Sequence, residues 1–179
     1  MLNIKTVSCK LQNYAEIVKL MRTAFPENEQ FPMWLLRLLA CKKDVDFTAY
    51  YDEELFAGIS YTAMSDNMVF ILFLAVNANI RSKGYGTAIL EYIKENSNGK
   101  TITLNIEPII ENAENYEQRK SRLLFYERNG FNVTEYTIKD KGEDYVILSN
   151  TSEYSIVDFK KVIKKMSWGF YNPKISKRQ

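Results

Sequence analysis

Histidine is missing from the whole of this 179-residue sequence. Ser-His-Asp and Cys-His nucleophile systems lose their imidazole base without it. The usual catalytic zinc sites lose their ligands. Proton transfer therefore falls to Glu, Asp, Tyr, Lys, Cys or water. Cysteine is scarce, with only Cys9 and Cys41. They form neither a metal-like nor a redox-like pair, so no metal site is expected. Their scarcity argues against a disulfide framework and fits a reducing compartment. With no visible activator, both read as small buried residues. Long apolar runs are lacking too. Residues 68–76 are nine consecutive apolar residues, far short of the ~20 that span a bilayer. The opening Met1-Leu2-Asn3-Ile4-Lys5 has no apolar leader. A soluble, cytoplasmic chain with no membrane partner is the expectation.

What is present supports a packed core. The apolar share is 46%, with 10 Phe and 12 Tyr, and the length suits one domain with or without an appendage. The net charge of +2 is unevenly spread. Residues 151–179 carry seven Lys/Arg against Glu153 and Asp158, which leaves the remaining body mildly acidic. That balance does not support a nucleic-acid-binding body.

The patterning predicts an α/β chain. Residues 3–7 form a short strand. Helical spacing runs over 11–25 and again over 31–41, the second with Pro32 in its first turn. Strands at 47–51 and 55–62 make a hairpin. Residues 68–76 read as a strand buried on both faces. A helix from Gly84 to about Asn96 follows, then a strand over 101–107 whose Ile102, Leu104 and Ile106 share one face. A helix over 116–129 stops at Gly130, in a cap position. Two strands, 131–138 and 144–149, come next. Residues 155–167 form an amphipathic helix with Ser155 as N-cap. The last dozen residues read as loose.

One segment carries chemistry. The buried strand 68–76 leads into Arg81-Ser82-Lys83-Gly84-Tyr85-Gly86-Thr87 at the start of a helix. Unpaired N–H groups at a helix start suit an anion, and Arg81 and Lys83 add positive charge. Glycine spacing alone reads equally well as a tight strand-to-helix turn. Rival nucleotide motifs fail: no G-x-x-x-x-G-K-S/T occurs, and Gly86 is followed by Thr87-Ala88-Ile89 rather than completing G-x-G-x-x-G.

Arg81, Gly84 and Gly86 match R/Q-x-x-G-x-G/A, and Phe125-Tyr126-Glu127-Arg128-Asn129-Gly130-Phe131 ends a helix in Tyr before a Gly-Phe step. In these two motifs, and in element order over 1–150, the sequence resembles the GCN5-related N-acetyltransferase (GNAT) family. The resemblance implies a mixed, mostly antiparallel central sheet flanked by helices, here with a C-terminal amphipathic helix added over 151–179. It implies acetyl-CoA as acyl donor and an amine acceptor attacking directly, on a small molecule or peptide. Pyrophosphate would sit on the amides from Ser82 to Thr87. Backbone groups of Phe73, Leu74 and Val76 would hold the cofactor arm where the central strand splays from its neighbour.

The resemblance also suggests roles. Tyr126 would protonate the departing sulfur; otherwise it is a packed core aromatic. Glu107, on the face of Asn105, is a candidate base; otherwise it caps a loop or binds the acceptor's ammonium. Glu27 and Glu29 lie where the family builds acceptor pockets, or on a solvated loop. Arg119 stands where many members place an Asn that touches the cofactor; it meets a phosphate or faces water. The lysines of 151–179 read as the wet face of a helix docked on the body or on a partner subunit of a homodimer. A second reading is a non-catalytic CoA-binding module that regulates a partner through 151–179. A third is RNA or membrane association through that basic end.

Overall fold

The computed structural model describes residues 2–80, 83–140 and 142–178. Eight strands form one sheet in the order β1-β2-β3-β4-β5-β7-β6-β8. They are β1 (Asn3–Thr6), β2 (Val45–Asp52), β3 (Leu55–Met64), β4 (Met68–Val76), β5 (Thr101–Ile106), β6 (Asn132–Asp140), β7 (Glu143–Ser149) and β8 (Lys174–Lys177). Every pairing is antiparallel except β4 with β5. The helices are α1 (Tyr14–Ala24), α2 (Met33–Leu39), α3 (Tyr85–Glu95), α4 (Tyr116–Arg128) and α5 (Ile156–Met166). No helix among the described residues is long and apolar enough to cross a membrane.

Two apolar layers cover the sheet. On one face α1, α2 and α5 pack over Phe47, Tyr61, Phe70 and Phe73. On the other, α3 and α4 contribute Ile89, Leu90 and Tyr126 against Ile71, Ile102 and Leu104. α1 buries Ile17, Leu20 and Met21, the spacing of a single helical stripe. α2 is shorter than its periodicity predicts. Pro32 stands before the first helical residue rather than within the first turn. A residue preceding proline is driven to extended backbone, which keeps Phe31 out of the helix.

Two expectations fail at the surface. Cys9 and Cys41 are both exposed, because one lies in the turn after β1 and the other just beyond α2. The last residues are not loose: β8 adds an antiparallel edge strand to β6, Tyr136 facing Lys177 and Lys139 facing Lys174. The C-terminal helix docks on the body through its apolar stripe, one of the two placements expected for it. Phe159, Val162, Ile163 and Met166 are buried in the first core layer, and Ser155 caps the helix by accepting from the Asp158 N–H at 3.2 Å. Lys160, Lys161, Lys164 and Lys165 face outward.

Candidate active site

β4 has a bulge at its middle. Tyr61 of β3 faces Phe73 and Thr62 faces Ile71, so Leu72 has no partner. Leu72 and Phe73 consequently both point into the first layer, and the strand beyond is re-aimed. Pairing of β4 with β5 stops in the same place. It covers Met68–Thr101 through Ile71–Leu104 and goes no further. β5 stays paired to β7 as far as Ile106–Val146. The two central strands therefore part, and a cleft of about 460 Å³ opens between them, lined by Leu74 and Val76 on one side and Asn105, Ile106 and Glu107 on the other.

Leu74, Val76 and Asn105, all singled out from the sequence, thus meet at this cleft. Phe73 does not line it. Its ring packs against Phe25 at 4.6 Å and lies near Tyr61 at 6.3 Å. The start of α3 faces the outer end of β4: Val76 approaches the position a Gly86 side chain would occupy, within 3.6 Å. Arg81 and Ser82 lie outside the described residues. Gly84 has φ +83°, and open space surrounds the position of a side chain there. Only glycine adopts that left-handed backbone cheaply. No side chain caps the helix start, so the first-turn amides of Tyr85, Gly86 and Thr87 are free for an anion. Lys83 is exposed beside them. The Tyr85 hydroxyl donates to Asp52 at 2.6 Å, so its backbone rather than its ring is available. Gly86 serves packing: a Cβ there would come within 3.0 Å of the Phe125 ring.

α4 forms the far wall. Tyr126 is the residue this helix buries fully, while polar Gln118, Ser121 and Arg122 line the cleft. The Tyr126 ring packs on Phe125 and Phe131. Among the described residues no group bonds its hydroxyl. Burial pushes its pKa up to about 12, with Arg122 pulling slightly the other way. The hydroxyl therefore keeps its proton at neutral pH.

Glu107 is differently placed from a free base. Arg119 meets its Oε1 at 3.0 Å and Arg122 its Oε2 at 2.8 Å. Asn115 donates to Oε1 at 3.2 Å. Arg119 in turn donates to Asn115 Oδ1 at 2.6 Å and to the Pro108 carbonyl at 2.9 Å. Its donors are spent on this network instead of a phosphate, and the long 107–115 connection is pinned to α4. With Glu107 at 15% and Arg119 at 14% side-chain exposure, removing the carboxylate strands a half-buried guanidinium. Glu107→Ala should cost about 2–3 kcal/mol of stability, read by denaturant unfolding.

The two link carboxylates separate. Glu27 is exposed and away from the cleft, whereas Glu29 lines it. Tyr145 of β7 donates to Glu29 Oε1 at 2.8 Å. Burial raises the pKa of Glu29, the Tyr145 bond opposes this, and Glu107 adds a further rise. Sequence reasoning passed over Tyr145 and Arg122. Tyr145 was visible as a hydroxyl on the core face of an alternating strand. Arg122 was visible as the partner of Arg119 one helical turn on. Among the described residues no group of three or more His, Cys, Asp or Glu is placed to hold a metal ion.

Residues 43–133 match the family model described as acetyltransferase (GNAT) domain. No curated protein matches the chain. Among solved structures, a putative GNAT-family acetyltransferase from Bacteroides thetaiotaomicron superposes with a TM-score of 0.74 at 21% identity, covering 94% of this chain and 99% of that one. An acetyltransferase from Bacillus subtilis in complex with CoA gives 0.59 at 16% identity, covering 83% and 97%. A GNAT family acetyltransferase from Elizabethkingia anophelis with acetyl-CoA bound gives 0.56 at 14% identity, covering 83% and 96%.

Proposed function

That this chain belongs to the GNAT acetyltransferase family, whose model matches residues 43–133, is the premise from which we propose its reaction: direct transfer of an acetyl group from acetyl-CoA to an amine of a small molecule or peptide. The observation that carries the proposal is the parting of β4 from β5 after Ile71–Leu104, with an uncapped helix start at one end of the opening and the unpartnered Tyr126 hydroxyl inside it. The pantetheine arm would lie along β4, with backbone groups of Leu74, Val76 and their neighbour Phe73 as partners. Its pyrophosphate would meet the amides of Tyr85, Gly86 and Thr87, with Arg81, Ser82 and Lys83 adding contacts.

The chemistry needs no acyl-enzyme. A neutral amine attacks the thioester carbonyl carbon, the C–S bond breaks, and the sulfur takes a proton from Tyr126. The amine's own proton leaves to a carboxylate or to water. Glu107, held by two guanidiniums, is better suited to fixing the acceptor side of the cleft than to moving that proton. Residues 1–150 would hold both substrates, with 151–177 completing the fold. That division disfavours the regulatory reading, because the apolar side of α5 is already spent on the sheet.

Calorimetry with acetyl-CoA tests the donor site. Wild type should bind, and Arg81→Glu and Gly84→Asp should bind far more weakly while keeping their fold. Unchanged binding by both variants would remove the loop assignment. Gly86→Val should behave differently. Its side chain meets the Phe125 ring, so it should lose about 1–3 kcal/mol of stability.

A further inference from the structure

Two unlike charges face the transfer cleft without pairing to each other. Arg122 lies one helical turn before Tyr126 on the same side of α4, and both line the cleft. Glu29 lines it from the 26–29 link. The two charges act on each other electrostatically, yet among the described residues they form no ion pair. Each is held by another partner. Tyr145 donates to Glu29 Oε1 at 2.8 Å, and Arg122 Nη1 donates to Glu107 Oε2 at 2.8 Å. A hydroxyl carries no charge, so it fixes the Glu29 carboxylate without cancelling it.

On the α4 side the charges are uneven. Arg119 and Arg122 share the single carboxylate of Glu107, and Asn115, which also bonds it, is neutral. One guanidinium charge is left over. Arg119 is spent, because its Nε, Nη1 and Nη2 all reach partners. Arg122 is the open one. Its side chain is 37% exposed, and among the described residues only Nη1 is bonded. Nε and Nη2 remain as a two-pronged donor edge, the kind that takes a carboxylate.

A recess of about 60 Å³ adds shape. It adjoins the cleft, since Glu29, Leu72, Asn105 and Tyr145 line both. Its other walls are largely apolar, from Phe70, Phe73, Ile163 and Met166. Its polar members Tyr171 and Asp140 are bonded to each other at 2.9 Å.

We infer that the acceptor is an apolar α-amino acid, with its carboxylate on Arg122, its amine between Glu29 and the thioester, and its side chain in the recess. This rests on the acetyl-transfer reading and adds the acceptor class to it. One turn of helix rises about 5.4 Å. That short step from Arg122 to Tyr126 favours a carboxylate close to the attacking nitrogen. A peptide amine brings no carboxylate at that position. In the transfer the C–N bond forms as the C–S bond breaks, and the sulfur takes the Tyr126 proton. The ammonium sheds two protons overall: one passes to water and the other restores Tyr126.

The experiment compares L-leucine, L-leucinamide and glycine as acceptors at saturating acetyl-CoA. Leucine should exceed leucinamide in kcat/KM by about tenfold, the worth of one charge-assisted contact. The amide has the less basic amine, so a preference for leucine has to come from the site. Glycine leaves the recess empty and should fall about tenfold below leucine. Arg122→Gln should bring the ratio of leucine to leucinamide down to near parity. The ratio is taken within one preparation, so partial unfolding of the variant cancels from it. Leucinamide matching or exceeding leucine, the mark of a peptide N-terminus, would overturn the inference. So would a ratio unmoved by Arg122→Gln, or glycine equal to leucine. Absence of transfer to all three acceptors while acetyl-CoA still binds would also overturn it, and leaves the donor site standing. Failure of acetyl-CoA to bind would instead overturn the transfer reading beneath it.

Discussion

Tyr126→Phe should lower kcat by about a hundredfold, the usual worth of a positioned general acid, and leave acetyl-CoA affinity nearly unchanged. The change is unusually clean here. The ring is wedged between Phe125 and Phe131, and the substitution keeps that packing. Its hydroxyl bonds no other group among the described residues, so removing the oxygen orphans no buried partner. Thermal stability should therefore hold, and the loss should appear in kcat and kcat/KM together, as for an interaction made only in the transition state. A pKa near 12 keeps the proton in place until a departing thiolate demands it. Steady-state kinetics beside calorimetry decides the matter: full turnover in the variant would end the acid assignment.

Phe159→Ala should cost about 3–5 kcal/mol, a large share of the stability of a domain this size. Phe159 is completely buried and meets Phe70 of β4 edge-on, with ring centroids 5.4 Å apart. Its loss opens a cavity under the central strand itself. Denaturant unfolding followed by tryptophan fluorescence measures the effect. A change under about 1 kcal/mol would mean that α5 is not part of the cooperative unit. Val157→Ala on the same helix is the control: Val157 is 59% exposed and should stay within about 0.5 kcal/mol.

Both predictions rest on parts of the molecule that differ in how plainly the sequence announces them. The proposed donor side is the more legible. Its signals are local: a nine-residue apolar strand, a glycine where the backbone must turn left-handed, and a Tyr-to-Gly-Phe step closing a helix. The acceptor side was less so. Glu107 looked available because its partners, Arg119 and Arg122, lie a loop and a helical turn away, and only the fold reveals that they converge. The bulge at Leu72 was invisible because every residue of 68–76 is apolar, and a strand buried on both faces carries no alternation to interrupt. β8 was missed because Lys174–Lys177 offers one half-buried side chain, Ile175, too little for a period. The exposed cysteines show the converse error, in which composition argues burial and position on a turn overrules it.

The sheet is in effect two panels. β1 to β4 make one, and β5, β7, β6 and β8 the other, hinged along the short parallel ladder between β4 and β5. The C-terminal stretch crosses this hinge: α5 lies on β3 and β4, while β8 hangs on β6. It works as a strap across the gap that a bound donor would also bridge. Two ties acting on one opening are thermodynamically coupled, and the coupling is reciprocal. Loosening the strap should weaken the grip on acetyl-CoA. Saturating acetyl-CoA should in turn shield the strap from proteolysis.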